Sequence, residues 1–133
     1  MIVPDASAVA LLFADPAADA RVVAARQLLA ADPTWAAPEH WRTEVLSVVR
    51  GLWLGHKLDD DQAQRAVSAL AQMVVVTVPT LTVWERMWQL RSSLSTYGAG
   101  YVAVAETYSC PLVTADARIA RSGVAGCDIH VIE

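Results

Sequence analysis

Short apolar runs alternate along this chain with longer segments whose apolar residues recur every three or four positions. Ile2-Val3-Pro4 is the first apolar run and ends at Asp5. Pro4 cannot donate to a sheet ladder, so it belongs at the carboxyl end of a short strand. Asp5-Ala6-Ser7 then caps a helix through Leu11, Leu12 and Phe13 that stops near Asp15-Pro16. A second helix is expected from Ala17 to Ala30, carrying Val22, Val23, Leu28 and Leu29 and ended by Asp32-Pro33. Thr34 to Pro38 reads as a short strand or an extended link. After Pro38, the residues Val45, Leu46, Val48, Val49, Leu52 and Trp53 keep helical spacing until Gly55. Asp59-Asp60-Asp61 opens a further helix with Ala63, Ala66, Val67 and Leu70 inward. Val74 to Val78 is almost wholly β-branched and predicts a buried parallel strand. Leu81 to Leu94 reads as a helix, Thr96 as the cap of another reaching Tyr108, and Leu112-Val113-Thr114 as a strand. Asp116 to Ala120 predicts a helical turn and Asp128 to Ile132 a last strand. Short strands alternating with helices imply an α/β fold with a parallel sheet and helices on both faces.

Composition narrows this picture. A chain of 133 residues suits a single domain over 1–133, and 55% hydrophobic residues against 18% charged exclude disorder. The segment between Arg65 and Glu85 has no charge, but Pro79 splits it and several polar residues interrupt it, so it does not predict a membrane span. Cys110 and Cys127 form no CxxC pair, and no signal peptide is recognisable, so a reducing cytoplasmic location is expected. The net charge of −4 and the lack of a Lys/Arg run exclude a broad basic face for nucleic acid. A nucleic acid would have to be held locally, and a basic protein partner would suit the chain well. Neither GxGxxG nor GxxxxGK[ST] occurs, which leaves no backbone cradle for nucleotide phosphates.

The candidate chemistry lies in the carboxylates. Ile2-Val3-Pro4-Asp5 and Leu112-Val113-Thr114-Ala115-Asp116 share one grammar: apolar strand, acid, helix. Adjacent parallel strands would bring both acids to the same sheet edge, where open α/β sheets bind their ligands. Either Asp alone would read as a helix N-cap. Glu44, early in its helix, is the third candidate. Two carboxylates about 4 Å apart repel by roughly 4 kcal/mol at an effective dielectric of 20, so such a cluster raises its pKa values or binds a cation. All-oxygen ligands favour Mg²⁺ or Mn²⁺, a pairing suited to phosphodiester hydrolysis. His40 lies one turn before Glu44, where a local His–Glu hydrogen bond is favoured over a metal pair. Trp84 and Trp88, one turn apart, suggest a core or dimer face, Trp53 core packing, and Trp41 the rim of a groove.

These same segments resemble the PIN-domain family, and within it the VapC-type toxins of toxin–antitoxin pairs, over essentially the whole chain. The resemblance rests on Val3-Pro4-Asp5-Ala6-Ser7-Ala8, Ala37-Pro38-Glu39 leading to Glu44-Val45-Leu46, Tyr97-Gly98-Ala99-Gly100-Tyr101-Val102-Ala103-Val104-Ala105-Glu106, and Pro111 to Arg118. It implies a three-layer α/β/α fold with a central parallel sheet of about four to five strands. It also implies a Mg²⁺- or Mn²⁺-dependent endoribonuclease, homodimeric, inhibited by a VapB-type antitoxin. Asp5, Glu44 and Asp116 match the family's catalytic and metal-site acids. Ser7 and Thr114 match the hydroxyls beside them, and Arg118 falls where a phosphate or antitoxin contact is expected. One position departs: the family's Tyr-Asp-Ala reads Tyr97-Gly98-Ala99 here, so a member of the acidic cluster is missing. Glu106, eight residues along the same helix, is roughly 12 Å from Gly98 and is not a substitute. The chain either binds one metal through three acids with weak activity, or is a degenerate member that only binds partners, or carries an engineered change at Gly98.

Overall fold

The computed structural model describes residues 1–133. Five strands form, and every pairing among them is parallel: β1 (Val3–Pro4), β2 (Trp35–Pro38), β3 (Val75–Val78), β4 (Leu112–Thr114) and β5 (Ile129–Val131). β1 pairs with β4 and β4 with β5, while β2 pairs with β3. A bridge between Ile2 and Trp35 joins the two sets. Around it the Ile2 amide donates to the Thr34 carbonyl and the Ala36 amide to the Ile2 carbonyl, each at 3.0 Å. The strands therefore run in the order β3-β2-β1-β4-β5, and the order reverses between β1 and β4.

Seven helices cover this sheet: α1 (Ala6–Ala10), α2 (Arg21–Ala30), α3 (Trp41–Leu54), α4 (Asp60–Gln72), α5 (Trp84–Gln89), α6 (Thr96–Tyr108) and α7 (Ala117–Ser122). Alternate strand residues feed two cores, as the two-residue period of a strand requires. Val3 and Leu112 belong to a large cluster with Trp41, Val45 and the middle of α6. Ile2 and Val113 belong to a smaller one with Val22, Ala25 and Leu29 of α2. This is the expected three-layer arrangement. α6 is buried from Ala99 to Ala105, so its residues are small or apolar around the whole circumference. No helix is long and apolar enough to cross a membrane.

Several local expectations are corrected. Val74 to Val78 is not a buried strand. β3 lies at the sheet edge, with Val74 92% exposed, Val76 exposed and only Val78 buried. β-branched residues favour the pleat whether or not the strand has two neighbours. The second helix starts at Arg21, because Asp15 closes a turn by accepting from Ala17 and Asp19 closes another, just ahead of the Ala20 N-cap, by accepting from the Arg21 amide. In place of one helix from Leu81 to Leu94 there is a 3-10 turn, Thr80–Val83, followed by the short α5. The cap of α6 is Ser95, not Thr96; its hydroxyl accepts the Gly98 amide at 3.1 Å. Trp53 is 44% exposed and its indole N–H donates to Asp60, whereas Trp41 is buried in the core and lines no groove. Trp84 and Trp88 are exposed.

Candidate active site

Asp5 follows β1 directly and caps α1. Its Oδ1 accepts the Ala8 amide at 3.0 Å and the Ser7 hydroxyl at 2.6 Å, and its Oδ2 accepts the Thr114 hydroxyl at 2.5 Å. The residue is only 5% exposed. Burial pushes its pKa above 3.8, against the pull of the Ser7, Thr114 and Ala8 donors, and the Asp116 charge adds to the rise. Asp116 follows β4 by the same logic and caps α7. Thr114 stitches the two together: while donating to Asp5 it accepts the Asp116 amide at 2.9 Å. Ser7 does the equivalent on the other side, donating to Asp5 and accepting the Ala115 amide at 2.9 Å. Two neighbouring strand ends are thus cross-linked through hydroxyls at the point where strand order reverses, the place where parallel sheets open a crevice.

Asp116 is also engaged by Arg118. The guanidinium contacts both carboxylate oxygens, from Nε at 2.9 and 3.1 Å and from Nη2 at 2.7 Å. These hydrogen bonds hold the Asp116 carboxyl below its ordinary pKa. Glu44 enters from α3. Its Oε1 accepts the Tyr101 hydroxyl at 3.0 Å and lies 3.3 Å from His40 Nε2; the expected His–Glu hydrogen bond does not form, because that nitrogen pairs with the Tyr97 carbonyl at 3.2 Å. Burial raises its pKa, and the Asp5 charge raises it further despite the Tyr101 donor. Tyr101 in turn is held far above its usual range by burial and by Glu44.

All three acids line one cavity of about 400 Å³, together with Ser7, Gly98 and Arg118. Their donor set fits a hard cation. Asp5 is a buried anion whose partners are two hydroxyls and an amide, and the charges that raise its pKa and that of Glu44 are other carboxylates. As the side chains stand, no three of them close within reach of one ion, and Asp116 is taken up by Arg118. Binding a cation would exchange that guanidinium for the ion.

Gly98 lies on the cavity wall. A Cβ there would meet Ser95 Oγ at 3.3 Å and Ile119 Cδ1 at 3.9 Å, so a side chain fits with a small shift of the serine. Glu106 is elsewhere: it accepts from Arg86 at 2.7 and 2.9 Å and from the Gly126 amide at 2.7 Å. The residue that sequence reasoning missed is Tyr101. It sits three positions after Gly98 in α6, one helical turn along the same face, and that spacing was the available signal.

Comparison with known proteins gives a consistent result. The family model for the PIN domain matches residues 2–124. The VapC ribonuclease Mb0985 of Mycobacterium bovis is 38% identical over 133 residues, covering 99% of this chain and 98% of that protein. Ribonuclease VapC12 of Mycobacterium tuberculosis is 33% identical over 132 residues, covering 99% of each. Among solved structures, Mycobacterium tuberculosis VapC20, a sarcin–ricin loop cleaving toxin, superposes with a TM-score of 0.69 over 92% of this chain and 95% of that one. At 22% identity, that likeness speaks for the fold alone.

Proposed function

The chain belongs to the PIN-domain family, and from that membership we propose that it is a metal-dependent endoribonuclease, the toxin of a VapBC-type toxin–antitoxin pair. The observation that carries the reading is the convergence of Asp5, Glu44 and Asp116, from three separate elements, on one cavity at the sheet's switch point. Asp5, Glu44 and Asp116 would hold Mg²⁺ or Mn²⁺, which when bound supplies a Lewis acid for a phosphate oxygen and lowers the pKa of water.

The chain's own residues do the remaining work. Ser7 and Thr114 fix both oxygens of Asp5, so this carboxylate is presented in one orientation. Tyr101 fixes one oxygen of Glu44. Arg118 is the only basic residue lining the cavity, and its side chain is 82% exposed. Released from Asp116, its planar fork matches two phosphate oxygens, so it would orient the RNA backbone against the acids. A VapB-type antitoxin with a basic segment is the complementary inhibitor, and the exposed Trp84 and Trp88 offer a face for a second copy of the chain.

A second reading is favoured by Gly98: the chain is a PIN-fold binding protein that engages its antitoxin but hydrolyses RNA poorly or not at all. One experiment separates the two. Purified chain and the Gly98→Asp variant are incubated with structured RNAs and Mg²⁺ or Mn²⁺. Cleavage by the chain as it stands supports the nuclease, with Gly98→Asp expected to be at least about tenfold faster, in line with the loss usual at a metal-site partner. An inert chain with an active variant supports the binding protein. No cleavage by either protein ends the nuclease reading.

A further inference from the structure

Two aromatic residues line the acid cavity, and the fold uses them in opposite ways. Tyr101 is 3% exposed and donates its hydroxyl to Glu44. Tyr97, one turn earlier on α6, is 57% exposed, and its hydroxyl has no partner in the chain. A single exposed ring is ordinary on a protein surface. Its place is not: none of the other exposed rings, Trp53, Trp84, Trp88 and Tyr108, lines this cavity.

The Tyr97 ring is also backed. It stands edge-on to the His40 imidazole, with centroids 5.1 Å apart and planes at 74°. His40 is itself fixed: its Nε2 donates to the Tyr97 carbonyl at 3.2 Å, and a Cβ on Gly100 would come within 2.5 Å of its Cε1. α6 admits the imidazole because residue 100 has no side chain, and the imidazole in turn supports an exposed ring at the cavity mouth. A ring held in place before binding loses little freedom when it meets a ligand.

The cavity's charges say what that ligand is. Three acids repel anions from its floor, and Arg118 is the basic residue on its wall. The start of α7 closes on the start of α6: Ile119, next to Arg118, puts Cδ1 3.9 Å from where a Cβ on Gly98, next to Tyr97, would stand. A phosphate at Arg118 therefore brings its own nucleoside to the mouth that Tyr97 borders. Bases of single-stranded RNA present a π-face that an aromatic side chain covers whatever the sequence.

We propose that Tyr97 is a stacking subsite for an unpaired nucleobase, the one adjoining the phosphate that Arg118 and the acid cavity engage. The proposal rests on the reading of the cavity as an RNA site. Stacking is insensitive to salt, whereas the Arg118 contact is not, so the two contributions separate by their salt dependence.

The test compares wild type with Tyr97→Ala, Tyr97→Leu and Tyr97→Phe. Tyr97→Leu keeps apolar bulk over His40 without a π-face, and thermal melting confirms that each variant is folded. Two fluorescein-labelled probes of equal length are titrated by anisotropy with Ca²⁺ present: a short single-stranded RNA, and the same ribose-phosphate chain without bases. Wild type is expected to prefer the RNA by about fivefold or more, the low end of what a stacked base contributes. Tyr97→Ala and Tyr97→Leu should lose that preference, and Tyr97→Phe should keep it within about twofold because the ring remains. The slope of log affinity against log salt should stay the same in all four proteins. A preference retained by Tyr97→Ala or Tyr97→Leu, or a slope that either substitution changes, overturns the proposal. Equal binding of the two probes by wild type also overturns it and leaves the RNA reading standing. If wild type binds neither probe, both fall together.

Discussion

A carboxylate buried among hydroxyls, with two other acids facing the same cavity, costs the fold stability at neutral pH. The folded-state pKa of Asp5 is raised above 3.8, so the folded chain holds that proton to higher pH than the unfolded chain does. The stabilisation from the proton is fully present below 3.8 and is lost as pH rises through the folded value. Asp5→Asn removes the charge and keeps an oxygen for the Ala8 cap. It is expected to melt above wild type at pH 7 in the absence of metal, with the difference closing as pH falls towards 3.8. A melting series against pH checks this, and a variant less stable than wild type at pH 7 would refute it. The same variant should lose Mn²⁺ binding. Asp5 and Asp116 were legible in sequence because each follows a strand and opens a helix, a pattern local to a few residues. The Tyr101 contact to Glu44 was less so, since it depends on how α3 and α6 cross. His40 was expected beside Glu44 because it shares its helix face; Tyr101, on another helix, was not.

At the scale of elements, α6 carries much of the architecture. Its first turn borders the cavity, its middle fills the core, and Glu106 near its end ties it to Arg86 of α5 and to the Gly126 amide. Arg86 lowers the Glu106 pKa below 4.5. The stabilisation from this pair is present above 4.5 and is lost as pH falls through the folded value. Glu106→Gln is expected to cost about 1 kcal/mol at pH 7, a charged hydrogen bond discounted for solvent exposure, and less at pH 3. Urea denaturation at the two pH values measures it. Mn²⁺ affinity should not change, which separates this acid from the cavity acids. Gly98 marks the other end of α6. It is the third helical residue after the Ser95 cap, a position where an acid favours the helix dipole. Gly98→Asp therefore gains from the helix dipole while adding charge to the cavity.

Across the whole molecule, the net charge of −4 leaves Arg118 as the one cation on the cavity wall. Binding of single-stranded RNA is accordingly expected to weaken only gently with salt, with a slope of log affinity against log salt of about −0.7, one phosphate's worth. Titrations between low and moderate salt check this, and Arg118→Ala should flatten the slope. The alternation of short apolar runs with helical periods determined the α/β class, the parallel sheet and the two strand-end acids, because those features depend on residues close in the chain. Tertiary structure alone decided which strand became an edge, exposing Val74 and Val76, and which tryptophans were left at the surface. It also decided that Gly100 would seat His40, and that Arg118 would engage Asp116. Burial, close approach and charge pairing are properties of neighbours brought together by folding. Asp5 and Asp116 lie more than a hundred residues apart, and the closing of β1 against β4 makes them one site.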